Sequence, residues 1–217
     1  MLIADTLRAR RLAALVWIAA GAAFMVVIAY GYIQARQPFL TVLNRSGMAT
    51  TFVYRDPRDM LVSHVFYATE MHVGHGMHRY YTETLTNMEE RLNAAIRGVH
   101  EPQADLSGVR EKYAVYLDWL SQPWALCLRF EDLILERERA LNCLLDYLEK
   151  RGFTLQIERA KAIAALASAI QPHKSGTFRK GQPGNWREHF TPANKQLFKE
   201  QAGDLLIRLG YEQDLNW

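Results

Sequence analysis

The hydrophobic pattern of this chain changes period sharply around residues 50–67. Residues 50–54 are short, β-branched and aromatic, which predicts a buried strand. Asp56-Pro57 then ends the strand and opens a helix, with Asp56 suited to the N-cap and Pro57 to the first helical position. Residues 124–130 predict a second buried strand. Glu131-Asp132 follows it and opens a long amphipathic helix, with Leu133, Leu141, Leu144, Leu145 and Leu148 on its core face and Gly152 as its stop. Helical spacing also runs over 79–99 and 106–120, with a loop around Pro102 between them, over 157–170, and from the Thr191-Pro192 cap to Gly210.

Residues 12–33 are 22 positions without a charge, preceded by Arg8, Arg10 and Arg11 and followed by Arg36. The run is long enough to span a bilayer and predicts a single-pass N-terminal membrane anchor with a cytoplasmic N-terminus. Two other readings compete. The run could be a signal peptide, or residues 24–30, FMVVIAY, could be a buried sheet strand in a cytoplasmic protein. The expected organisation is a hydrophobic segment over 1–36 and one domain over 37–217.

The chain has 217 residues, 23% charged and 49% hydrophobic, with a formal net charge of +3. That mild balance suits a small anionic ligand or a membrane surface. It lacks the dense basic stripe that nucleic-acid binding calls for. Cys127 and Cys143 both fall in apolar patterns and read as buried free thiols. His72, His75 and His78 recur every third residue in HVGHGMH, but Gly74 and Gly76 interrupt any helix that would bring the rings together. The better reading is a polar connecting loop, and no metal site is assigned.

The chemistry sits at two corners. A strand running directly into a helix leaves backbone N–H groups pointing outward at the positive end of the helix dipole, an arrangement that attracts phosphate. Arg55 stands at that corner with a planar donor fork, and Ser63 lies two turns down the helix with a hydroxyl. Later, 172–189 is rich in glycine, proline and basic residues without periodicity. In it Arg179 and Lys180 precede Gly181, whose missing side chain lets backbone approach a ligand.

YRDPRDMLVS, then LRFEDLI, then FRKGQPGNWREHFT, in this order, resemble the sulfotransferases that use 3′-phosphoadenosine 5′-phosphosulfate. The resemblance covers 50–217. It implies a P-loop-like three-layer α/β/α fold and a small-molecule acceptor carrying a hydroxyl or amine, with adenosine 3′,5′-bisphosphate as the leaving product. It implies that Arg55 and Ser63 hold the 3′-phosphate and that Phe178, Arg179, Lys180 and Gly181 close over the nucleotide. Phe130 stands where the family often has a tyrosine.

The family's lysine-serine-glycine-threonine loop for the 5′-phosphosulfate, and its histidine base, have no match upstream of Phe52. No lysine or histidine precedes His64 at all. His64 neighbours Ser63 but points about 100° away around a helix, and Lys174-Ser175-Gly176-Thr177 matches the missing loop in letters without the strand that should precede it. Catalytic residues are therefore unassigned, and the chain reads as the C-terminal portion of a sulfotransferase domain with an incomplete sheet. The alternative is a non-catalytic nucleotide-binding or interaction module derived from one.

Overall fold

The computed structural model describes residues 26–29, 39–45, 48–170 and 180–217. They fall into two compact units, Met1–Tyr54 with Val115–Gln171, and Arg55–Ala114 with Pro172–Trp217.

The first unit is built on a parallel sheet in the order β1-β2-β5, from β1 (Val26–Ala29), β2 (Ala49–Tyr54) and β5 (Leu126–Arg129). Alternate residues of β2 face opposite ways, and its two faces bury different partners. Phe52 packs with Trp119 of α4 (Val109–Leu120) and with Leu43 of α1 (Phe39–Leu43). Ala49, of the other parity, packs with Leu145 and Leu148 of α6 (Arg137–Lys150) and with Ala162 of α7 (Arg159–Ala169). Helix, sheet and helix make the three layers expected. The Tyr147 hydroxyl ties the sheet to α6, accepting from Thr50 N (2.7 Å) and donating to Trp124 O (3.0 Å).

Several expectations are corrected in this unit. Val26–Ala29 are a strand paired with β2, so the unbroken membrane helix over 12–33 does not form at these four residues. Their β-branched pattern finds its hydrogen bonds in the sheet instead. The rest of the run lies outside the described residues, among which no helix is long and apolar enough to cross a membrane. The pairing also joins residues on either side of the boundary expected at 36. Cys127 is half-buried, but Cys143 is exposed, because Leu141, Leu145 and Leu148 already turn the other side of α6 inward. The long helix expected from 131 is two, α5 (Phe130–Leu135) and α6, broken at Glu136.

The second unit begins with α2 (Pro57–Phe66), which runs on into a π-helical turn, Tyr67–Met71. A second such turn, Tyr80–Thr84, precedes α3 (Met88–Arg97), whose N-cap Asn87 accepts from Glu90 N at 3.0 Å. The single helix expected over 79–99 is thus interrupted. Residues 98–107 form an antiparallel pair, β3 (Gly98–Glu101) with β4 (Ala104–Ser107), in which the period is two, with Ala104 and Leu106 in and their neighbours out. The unit closes with a short 3₁₀ turn (Asn185–Glu188), α8 (Pro192–Ala202) and α9 (Leu205–Arg208). Asn194 in α8 is wholly buried and holds α3 by donating to Glu89 O (3.1 Å) and Asn93 Oδ1 (2.9 Å).

Candidate anion-binding site

The corner after β2 forms as its sequence predicts. Asp56 caps α2, accepting from Arg58 N at 2.9 Å, and Pro57 fills the first helical position. Tyr113 fixes the corner from outside the motif, its hydroxyl donating to Arg55 O at 3.0 Å. The helix end itself is less open than expected. Pro57 has no N–H, that of Arg58 is capped, and Met60 N closes on Asp56 O at 3.0 Å. An anion there relies on side chains more than on backbone. Arg55 is half-buried at the corner, and Ser63 is half-buried two turns along α2.

The late loop is pinned to the first turn of the same helix. Asp59, 1% exposed, accepts from Gly184 N at 2.6 Å and from Trp186 N at 2.8 Å. Gly181 and Gly184 both take left-handed backbone (φ 62° and 83°), which lets the loop turn back onto α2. Lys180 donates to Asn185 Oδ1 (3.1 Å) and Glu188 Oε2 (3.0 Å). The Lys180–Glu188 side chains are 44% and 64% exposed, so this ion pair is weak. Phe178 and Arg179 lie outside the described residues. Phe130 belongs to the other unit, as the first residue of α5.

Residues beyond the expected set complete the corner. The guanidinium of Arg58, 2% exposed, folds back on its own cap, with Nε–Oδ1 3.0 Å and Nη2–Oδ2 2.7 Å to Asp56, and reaches Glu212 at 2.5 Å. It lies against the rings of Trp186 (3.9 Å) and Trp217 (4.6 Å), which meet edge to face. Burial alone would lower its pKa, but bonds to Asp56 and Glu212 outweigh this and raise it. Arg58 and Asp59 stand inside the first motif, yet their long-range partners are 125 to 159 positions away. The only local signal was two adjacent opposite charges on a helix whose core face they share.

His64 points into the interior. Burial first, then the charges of Lys112 and His75, push its pKa down to about 3. Its ring meets those of His75 (5.2 Å) and Tyr81 (5.9 Å) edge on, and Nε2 is buried with no hydrogen-bond partner among the described residues. His75 packs on Tyr67, and His78 bonds Ala68 O at 2.8 Å. The three loop histidines thus dock on neighbouring aromatics and backbone. Burial lowers Lys112 to about 8.

No curated protein sequence matches the chain. Among solved structures, mouse sulfotransferase SULT7A1 complexed with PAP aligns at 15% identity and a TM-score of 0.50, over 75% of this chain and 62% of that one. Retinol dehydratase in complex with androsterone and inactive cofactor PAP aligns at 19% and 0.53, over 74% and 48%. These likenesses show the fold, and the chain spans about half to three fifths of those proteins' length. The family described as Sulfotransferase domain matches residues 45–210, which include the capped corner, β5 and the pinned loop. The chain belongs to the sulfotransferase family.

Proposed function

We propose that this chain recognises the 3′-phosphate of 3′-phosphoadenosine 5′-phosphosulfate and belongs to a sulfotransferase that passes the sulfuryl group to a hydroxyl or amine of a small acceptor. The observation that carries the reading is the pair of hydrogen bonds that Asp59 accepts from Gly184 N and Trp186 N. It joins the corner bearing Arg55 and Ser63 to the loop bearing Lys180 and Gly181 within one unit. A guanidinium, a hydroxyl and an ammonium are the donors a phosphate takes, and charge-assisted bonds of this kind contribute about 1.5–3 kcal/mol each. Phe178, Arg179 and Phe130 are assigned to the same nucleotide by family resemblance. The reaction would be an in-line displacement, with adenosine 3′,5′-bisphosphate leaving.

The test is thermal stabilisation by adenosine 3′,5′-bisphosphate. At about 100 times its dissociation constant the ligand adds about 2.7 kcal/mol. Arg55→Ala should lose most of that gain, and a wild-type protein that gains none would refute the nucleotide site. A second reading is a nucleotide-binding module that transfers nothing. Sustained transfer of labelled sulfate to phenols, sugars or amines would eliminate it.

A further inference from the structure

Resting on that phosphate reading, a further role emerges for the segment after α9. Asp56 is a carboxylate at the helix end where the phosphate would sit. Left bare, it would repel that phosphate. Arg58 cancels it through Nε and Nη2. An arginine so placed could instead extend, because its stem has many rotamers. What holds it folded back comes from far along the chain: the carboxylate of Glu212 at 2.5 Å and the rings of Trp186 at 3.9 Å and Trp217 at 4.6 Å. Trp217 is seated in turn on Trp186 (5.8 Å) and Phe198 (5.7 Å), and Lys199 covers it at 4.9 Å. Trp186 is the residue whose N–H Asp59 holds, so the same ring cluster braces both halves of the site.

We propose that residues 211–217 are a positioning strap for the phosphate corner: Trp217 and Glu212 hold Arg58 on Asp56, and this keeps the Asp56 carboxylate from opposing the 3′-phosphate. Neither residue touches the nucleotide. The effect is specific to the 3′-phosphate, because a nucleotide without one places no charge beside Asp56.

The experiment compares calorimetric dissociation constants for adenosine 3′,5′-bisphosphate and adenosine 5′-monophosphate in the wild type, Trp217→Phe, Trp217→Leu and Trp217→Ala. The wild type should prefer the bisphosphate. Trp217→Ala should cut that preference about tenfold, the equivalent of about 1.4 kcal/mol. Trp217→Phe keeps a ring face for the guanidinium and should retain the preference, while Trp217→Leu fills space without a face and should lose it. If the alanine variant does not fold, the Phe and Leu pair still decides. Equal loss for both nucleotides, or Leu performing as well as Phe, would mean Trp217 only packs, and the strap would be wrong. A wild type without preference for the bisphosphate would overturn the phosphate reading itself, and the strap with it.

Discussion

Asp59→Asn is the sharpest probe of the pinned loop, because it changes chemistry without changing shape. The wild-type carboxylate is buried and accepts two N–H groups at 2.6 and 2.8 Å, from Gly184 and Trp186. An amide can accept one of them with its oxygen. Its NH₂ must then face the other, donor against donor. The variant therefore loses one charge-assisted bond outright, strands a buried N–H and weakens the bond that remains. A bond of this class is worth about 1.5–3 kcal/mol, so a loss of about 2 kcal/mol is expected. For a chain of this length that corresponds to roughly 4–8 °C in the thermal midpoint. Scanning calorimetry measures the midpoint, and titration with adenosine 3′,5′-bisphosphate measures whether the loop carrying Lys180 and Gly181 still meets the ligand. Affinity should fall together with stability. A variant that melts at the wild-type temperature and binds the nucleotide as tightly would show that the Asp59 bonds neither hold the loop nor serve the site.

Tyr147→Phe removes a hydroxyl that both accepts from Thr50 N and donates to Trp124 O; the orphaned amide should cost about 1–3 kcal/mol, seen as a lower urea midpoint and faster exchange at Thr50. Unchanged exchange there would show that the Tyr147 bridge does not hold β2 to α6. His64 titrates at about 3 folded against 6.5 unfolded, so between those values the unfolded chain binds the extra proton and stability falls as pH falls, by up to about 1.4 kcal/mol per pH unit. His64→Phe should flatten the stability profile over that window. A variant as steep as the wild type would place the acid sensitivity elsewhere, with His75, whose pKa burial also lowers, the next group to replace.

What the sequence revealed of this fold follows the range of the interactions involved. β2, the Asp56 cap and Pro57 were legible because each is decided within a few residues by β-branching, a side-chain acceptor and a missing N–H. The hairpin at 98–107 was hidden for the opposite reason: over four residues, apolar positions spaced by two also satisfy part of a helical pattern, and only the pairing partner settles the period. The apolar run was ambiguous in the same way. Hydropathy sees that Val26–Ala29 avoid water, but a bilayer and a neighbouring strand satisfy that equally well, and β2 supplies the hydrogen bonds.

The candidate site shows where motif reading ends. A motif picks out cations that could meet a phosphate, but it counts every charge in the stretch alike. Arg55 and Arg58 are three residues apart in one motif, and nothing local separates their tasks. The structure does so through partners far along the chain. Arg58 is occupied by Asp56, Glu212 and two indole rings, while Tyr113 fixes the backbone of Arg55. Asp59 likewise looks like an acidic residue misplaced beside an anion site. Its charge is spent on two backbone donors of the loop that brings Lys180. An acidic residue at such a corner therefore does not argue against phosphate there, provided a cation or buried N–H groups already hold it. The phosphate assignment rests on the bonds from Gly184 N and Trp186 N to Asp59, which join the corner of Arg55 and Ser63 to the loop of Lys180 and Gly181.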